Sequence, residues 1–204
     1  MTASFPAVSG LRLAIVRQRY TPYGGAERFV ERALDALAAR GVQLTLVTRR
    51  WPGAADPRIT PLVVDPPYFG RTWRDASFAR AACAALAQHR DTLVQSHERI
   101  ACCDLYRAGD GVHAVWVAER LRGGTASERL AVATSPYHRY VMNAERRMFA
   151  SARLKAVICI SRMVQGEIHE RFGLPLERLP VIYNAIDPAV FNPGLAAARD
   201  ETRA

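Results

Sequence analysis

The hydrophobic pattern changes period several times along the first 50 residues. Residues 11–18 form a short, nearly continuous apolar run, which is typical of a buried strand in a parallel sheet. From Ala26 onward, apolar residues recur at helical spacing until Gly41, which supplies a helix stop. A second buried strand follows at residues 43–48. This order predicts a strand, a helix and a strand joined by a right-handed crossover, as at the start of a Rossmann-like domain.

The same alternation of apolar runs and helical stretches continues along the rest of the chain. Further strands are predicted at residues 59–64, 92–96, 104–112, 156–160 and 181–183. Helices are predicted at residues 73–89, within 136–152, and from Ser161 to a helix stop at Gly173. The residues after 183 are rich in Asn, Asp and Pro and indicate a loop. The sequence therefore predicts an α/β fold, a Rossmann-like parallel sheet flanked by helices.

The composition is that of one globular domain with a basic surface. The chain has 204 residues, half of them hydrophobic, which suits a domain with its own core and excludes disorder. Its 28 Lys and Arg residues exceed its 19 Asp and Glu residues, so the formal net charge is +9. This charge favours an anionic partner. A nucleic acid, an anionic lipid surface and a phosphorylated small molecule are all compatible with it.

Several classes of site lack support in the sequence. No stretch reaches the roughly 18 uncharged apolar residues of a membrane-spanning helix, and no signal-peptide pattern is present, so we expect a cytoplasmic protein. The cysteines form no CxxC pair, and we expect buried thiols rather than a disulfide or a zinc site. They are Cys83, Cys102, Cys103 and Cys159. Neither a histidine pair with metal-ligand spacing nor a nucleophile motif is present, so we expect no metal ion and no covalent nucleophile.

The loop between the first strand and the first helix carries two adjacent glycines, Gly24 and Gly25. They do not form a GxGxxG motif, and Thr48-Arg49-Arg50 stands where a dinucleotide-binding domain has its acidic residue, so a nicotinamide oxidoreductase is disfavoured. Backbone N–H groups of paired glycines at a helix N-terminus can approach a phosphate closely. A tight turn that needs a positive φ explains the pair equally well, so both interpretations stay open.

Two carboxylates, Asp104 and Asp110, lie on one predicted strand. Six residues of strand would separate them by roughly 20 Å, whereas the acid/base pair of a glycoside hydrolase needs about 5 to 9.5 Å. Asp104 is therefore interpreted as a cap at the strand start. Asp110 lies between Gly109 and Gly111 near the carboxyl end of a strand, where open α/β sheets bind ligands. It is a candidate catalytic residue, although a turn aspartate that bonds its own backbone fits the same position.

Residues 116–149 interleave basic and aromatic side chains. This mixture suits a membrane interface or a polyanion, but a charge-rich helix face is often simply solvated. The candidate surface residues are Trp116, Arg120, Arg122, Tyr137, Arg139 and Tyr140.

Three separated segments resemble the N-terminal half of the retaining glycosyltransferases of family 4, which have the GT-B architecture. The loop at residues 20–28 is similar to the Gly-Gly donor loop of that family, and residues 157–161, 181–187 and 191–193 are similar to its strand and interdomain hinge. Within the family, the order of motifs is most similar to that of lipopolysaccharide core glucosyltransferases. Ala185 stands where the family usually has a hinge glycine, which puts the hinge geometry in doubt.

The resemblance implies a division of the chain and a reaction. Residues 1–183 would be the acceptor-side domain, and residues 184–204 the hinge and the start of a C-terminal domain that this chain lacks. The reaction would be transfer of a hexose from a nucleotide sugar, expected to be UDP-linked, with retention of configuration and without a metal ion. The acceptor would be a lipopolysaccharide core or a related glycolipid. Without its donor domain, the chain alone is expected to be inactive.

The resemblance also implies roles for individual residues. Gly24 and Gly25 would bind the donor, and Asp110 would be the carboxylate near the reacting centre. Contacts to the acceptor are expected from Arg19, Glu27 and Arg28. The basic and aromatic residues of 116–149 would face an anionic inner-membrane surface, which implies a cytoplasmic protein bound peripherally to the membrane. The competing hypothesis is a non-catalytic basic module that binds anionic lipid or nucleic acid.

Overall fold

Six parallel strands form one sheet in the order β3-β2-β1-β4-β5-β6. A computed structural model describes residues 10–19, 25–50 and 57–184, with the backbone alone for 25–31. The strands are β1 (Arg12–Val16), β2 (Gln43–Thr48), β3 (Ile59–Val63), β4 (Leu93–Ser96), β5 (Leu105–Ala108) and β6 (Ala156–Cys159). The helices are α1 (Gly25–Ala38), α2 (Gly70–Leu86), α3 (His113–Gly123), α4 (Ala126–Thr134), α5 (Pro136–Phe149) and α6 (Arg162–Phe172). The predicted Rossmann-like sheet is confirmed.

Apolar side chains cover both faces of the sheet. The larger core cluster joins the sheet to α2, α5 and α6, and its buried members include Phe78, Met148 and Ile168. A smaller cluster joins β1 and β2 to α1 through Leu34. The sheet thus has helices on both sides, as parallel sheets require to bury two apolar faces.

Helices α3 and α4 were not predicted, and the strand predicted at 104–112 is wrong at its end. Strand β5 stops at Ala108, and α3 begins at His113 without a side-chain cap from Val112. Its first amides are instead satisfied by Glu145 of α5, a partner that sequence spacing does not reveal. Helix α4 does carry a visible signal, a capping box formed by Thr125 and Glu128.

Two smaller expectations also need correction. Cys83 of α2 and Cys102 of the loop before β5 form a disulfide, because the packing of α2 brings their Cα atoms within 5.8 Å. Cys103 and Cys159 are buried free thiols, as predicted. Residues 181–183 do not form a full strand, and a parallel bridge joins Val181 to Cys159. The helix from Ser161 to Gly173 is confirmed, with a side-chain cap at its start and a left-handed glycine at its end.

Candidate functional site

The chain leaves β1 toward β2 and later returns to β4 on the other side of β1. In open α/β sheets this change of direction opens a crevice at the carboxyl ends of the two strands, where ligands bind. The residues that follow β1, β4 and β5 therefore form the candidate site. They include Arg17 and Gln18 after β1, His97 to Arg99 after β4, and Asp110 after β5.

Asp110 lies on the loop between β5 and α3, and its side chain is 72% exposed. Its Oδ2 lies 3.7 Å from Nη1 of Arg99, so the carboxylate faces a fixed positive charge. The loop can turn here because Gly111 adopts a φ of +73°, a conformation that side chains rarely permit. The carboxylate is thus accessible at the carboxyl edge, and Arg99 orients it.

Arg99 is in turn held by Glu145, the buried acid of α5. Arg99 Nε donates to Glu145 Oε1 at 2.9 Å, and the same carboxylate accepts from the amides of His113 and Ala114 at 2.8 and 3.3 Å. Burial opposes the charge of Arg99, yet Tyr106, Glu145 and Asp110 together raise the pKa of its guanidinium. A chain of charged contacts therefore runs from the helix core to Asp110.

The roles of Arg99 and Glu145 were not predicted from the sequence, although the position of Glu145 on its helix was a signal. Glu145 falls on the same stripe of α5 as the buried Val141 and Met148, at helical spacing. A carboxylate within an apolar stripe needs a buried partner, and this requirement could have marked it. Its partner Arg99 is 46 residues away in sequence, so only the fold identifies the pair.

His97 lies directly after β4, between two arginines. Its imidazole is buried, and burial, reinforced by the charges of Arg107 and Arg17, lowers its pKa to about 3. The imidazole is therefore neutral near pH 7. Sequence analysis found no role for this histidine, because its environment comes from the neighbouring strands β1 and β5.

Asp104 lies apart from Asp110 and has structural contacts. Its Oδ2 accepts the amide of Val94 at 2.9 Å and lies 3.2 Å from Arg153. Lys155 lies 3.4 Å from its other oxygen. The interpretation of Asp104 as a cap at the strand start is confirmed.

The structure describes only some of the residues that are expected to bind the donor and the acceptor. Gly25 begins α1 at the carboxyl edge, and Arg19 is exposed after β1. Gly24 and the side chains of Glu27 and Arg28 lie outside the described residues. Their roles remain predictions, and so does the hinge assigned to residues 184–204, of which Asn184 alone is described.

Four rings pack together where α3 meets α5. His113 Nε2 and His138 Nδ1 are 2.9 Å apart, and Trp116 stacks on His113 at a centroid distance of 5.4 Å. Tyr137 contacts both histidines edge-on, and the guanidinium of Arg71 lies 4.0 Å from the centre of its ring. This ring cluster joins α5 to the hairpin formed by α3 and α4.

The α3–α4 hairpin has many exposed side chains. Helix α4 buries no residue, and Leu130 on it is 66% exposed. Trp116, Arg120 and Arg122 of α3 are also exposed. Of the other expected membrane-facing residues, Arg139 is exposed. Tyr137 and Tyr140 are half-buried and line a cavity of about 40 Å³ between α2 and α5.

The described residues offer no obvious place for a metal ion or a membrane span. Among residues 10–19, 32–50 and 57–184, no three His, Cys, Asp or Glu side chains are grouped as metal ligands. No helix in the described part of the chain has the length and apolar character needed to cross a bilayer.

Comparison with known proteins identifies related sequences and folds. The sequence profile of Glycosyltransferase Family 4 matches residues 23–190. A search of curated proteins finds no match. Among solved structures, the chain is similar to WaaG, described as a glycosyltransferase involved in lipopolysaccharide biosynthesis, with a TM-score of 0.76 and 20% identity over 94% of this chain and 51% of WaaG.

A second solved structure has the same fold. It is a sucrose-phosphate synthase from Thermosynechococcus elongatus, with a TM-score of 0.60 and 16% identity over 95% of this chain and 53% of the synthase. The chain therefore spans about half the length of both relatives. At these identities the two structures establish the fold of this chain.

Proposed function

The chain belongs to glycosyltransferase family 4, and on that premise we propose that it is the acceptor-side half of a nucleotide-sugar-dependent transferase. The enzyme transfers a hexose from a UDP-linked sugar to a lipopolysaccharide core or related glycolipid, with retention of configuration. The donor-binding half lies in a domain C-terminal to this chain. The glycolipid acceptor is suggested by the similarity to WaaG, whose description names lipopolysaccharide biosynthesis.

The position of Asp110 carries this proposal. Its carboxylate is exposed at the carboxyl edge and lies 3.7 Å from Arg99, whose guanidinium is anchored to Glu145. A carboxylate fixed in this way can accept a hydrogen bond from a sugar hydroxyl and orient it for attack. In this proposal, positive charge rather than a metal ion stabilises the departing nucleotide diphosphate. Gly24 and Gly25 contact the donor, while Arg19, Glu27 and Arg28 contact the acceptor.

Peripheral attachment to an anionic membrane surface is part of the same proposal. The α3–α4 hairpin presents Trp116, Arg120 and Leu130 to solvent. Arginines that flank exposed apolar side chains suit the boundary between headgroups and acyl chains. A lipid-linked acceptor then reaches the carboxyl edge from the membrane side.

A transfer assay tests the proposal. Radiolabelled UDP-glucose and UDP-galactose are supplied with a lipopolysaccharide core acceptor to the 204-residue chain and to a protein that joins it to its C-terminal domain. We expect transfer by the joined protein with an α-linked product, as NMR of the anomeric proton reports, and none by the chain alone. Transfer by the chain alone, a β-linked product, or failure of the joined protein with both UDP-hexoses would overturn the proposal.

A further inference from the structure

Arg17, His97 and Arg107 form one row across three adjacent strands at the carboxyl edge. The strands pair Val16 with Ser96 and Ser96 with Tyr106, and Arg17, His97 and Arg107 are the next residues along each strand. The charges of both arginines act on the His97 imidazole. The amide of His97 donates to the carbonyl of Val16 at 3.0 Å, so the ladder continues past the end of β4. Two guanidinium groups therefore flank one imidazole.

The row concentrates positive charge in a site with little access to water. His97 is 9% exposed and Arg107 is 5% exposed. Burial lowers the pKa of Arg107, and the charge of Arg17 lowers it further. Like charges held close together away from water cost free energy. Groups whose pKa values are shifted in this way cluster at functional sites.

The three residues of the row also have contacts within the protein. Arg107 Nη2 donates to Asn184 Oδ1 at 2.5 Å, which holds the segment that follows β6 and α6 against the sheet. Two acids lie near the row. Glu98 lies 3.7 Å from Arg17, and the charge of Asp110 acts to raise the pKa of Arg107. Gln95 Nε2 lies 3.2 Å from His97 Nε2, so the imidazole also has a partner on β4. A dianion bound across the row would use all three side chains at once.

We propose that the row of Arg17, His97 and Arg107 is a phosphate-binding site, and that it holds a phosphate monoester on the sugar acceptor. Guanidinium groups bind phosphate oxygens through paired N–H donors, and the imidazole adds a third donor once the anion is present. The assignment of this phosphate to the acceptor rests on the proposed function, in which the Gly24 and Gly25 loop serves the donor. The neighbouring Asp110 then lies beside the bound acceptor.

Binding of inorganic phosphate to the 204-residue chain tests the site without any transfer assay. We expect Arg17→Gln to weaken binding by about tenfold or more, because a charge-assisted hydrogen bond is lost. The matched control is Arg12→Gln at the amino end of β1, which removes the same charge on the opposite edge and should change binding less than twofold. Equal losses in the two variants, or no binding by the unmodified chain, would overturn the proposal.

A second measurement does not depend on a substitution in the buried row. NMR titration of the His97 imidazole should give a pKa near 3 without phosphate, and bound phosphate, which is a monoanion in this pH range, should raise that pKa. An unchanged pKa at saturating phosphate would contradict the site. Arg107→Lys is the buried variant because it keeps the positive charge and most of the side-chain volume, and it should retain weakened binding.

Two further ligands identify the source of the phosphate. A hexose 6-phosphate should compete with inorganic phosphate and lose affinity in Arg17→Gln, whereas UDP should not. UDP binding that is lost in Arg17→Gln would overturn the assignment to the acceptor. Failure of the joined protein in the transfer assay, with phosphate binding intact, would instead remove the proposed function and leave the phosphate site standing.

Discussion

At the scale of single residues, buried charges at the carboxyl edge are stabilised by partners from other elements. Glu145 of α5 accepts hydrogen bonds from Arg99 and from the first two amides of α3. Its carboxylate offsets both the charge of Arg99 and the positive end of the α3 dipole. This one side chain therefore stabilises a helix and positions Arg99 against Asp110.

Replacement of Glu145 should show how much stability the contact supplies. Glu145→Gln leaves Arg99 with only the exposed, more distant charge of Asp110, and we expect the free energy of unfolding to fall by about 3 kcal/mol. Urea denaturation measures this change. Glu119→Gln is the control, since it breaks only an exposed pair with Arg122 and should cost under about 1 kcal/mol. A Glu145→Gln cost as small as that of the control would contradict a supporting role for Glu145.

The pH dependence of stability should report the neutral His97. Its pKa is about 3 in the folded chain and about 6.5 when unfolded, so the unfolded chain binds more protons between these values. The free energy of unfolding should therefore fall as pH falls from 6.5 toward 3, by about 1.4 kcal/mol per pH unit from this group.

Denaturation in phosphate-free buffer across that range tests the pH dependence. His97→Gln should flatten the slope, and His89→Gln, at an exposed site, should leave it unchanged. An identical slope in His97→Gln and the unmodified chain would show that His97 is not held neutral.

At the scale of secondary structure, the elements predicted correctly were those with purely local signals. The continuous apolar runs of β1 and β2, the helical stripe of α1 and the Ser161 and Gly173 boundaries of α6 are all visible within a short window of sequence. Helix α3 was missed because Glu145, which caps it, lies 32 residues beyond His113. The disulfide between Cys83 and Cys102 was missed for the same reason, since the packing of α2 creates it.

The α3–α4 hairpin is the element whose proposed role is easiest to test alone. Arg120→Gln combined with Arg122→Gln should weaken binding to vesicles containing phosphatidylglycerol by about 2 kcal/mol at low salt, at about 1 kcal/mol for each arginine near an anionic surface. Vesicle co-sedimentation across a salt series measures this change.

A matched pair of substitutions controls for net charge. Arg12→Gln with Arg90→Gln removes two exposed charges at the amino edge and should leave vesicle binding nearly unchanged. Equal losses from both pairs would assign the effect to overall charge rather than to the hairpin. Tighter binding of duplex DNA than of vesicles at physiological salt would favour a nucleic-acid module.

At the scale of the whole molecule, the sequence predicted a parallel sheet, the family and the position of Asp110, but not the contacts around it. Alternating strands and helices predict a Rossmann-like sheet, and the carboxyl-edge position of Asp110 follows from that topology. Strand order and register depend on contacts distant in sequence, so the partnership of Asp110 with Arg99 and the row of Arg17, His97 and Arg107 became visible only in the fold. This chain spans about half of its solved relatives. It therefore carries least information about the donor half of the proposed enzyme.

The central claim is that Asp110 orients the acceptor at the reacting centre of a glycosyltransferase, and turnover of the Asp110→Asn variant tests it most directly. In the protein joined to its C-terminal domain, the isosteric amide should lower kcat by about 100-fold while Asp91→Asn, at an exposed amino-edge site, leaves it unchanged. Circular dichroism and the urea midpoint of Asp110→Asn should match those of the unmodified protein, because the side chain is largely exposed. A kcat within threefold of the unmodified enzyme would contradict the account.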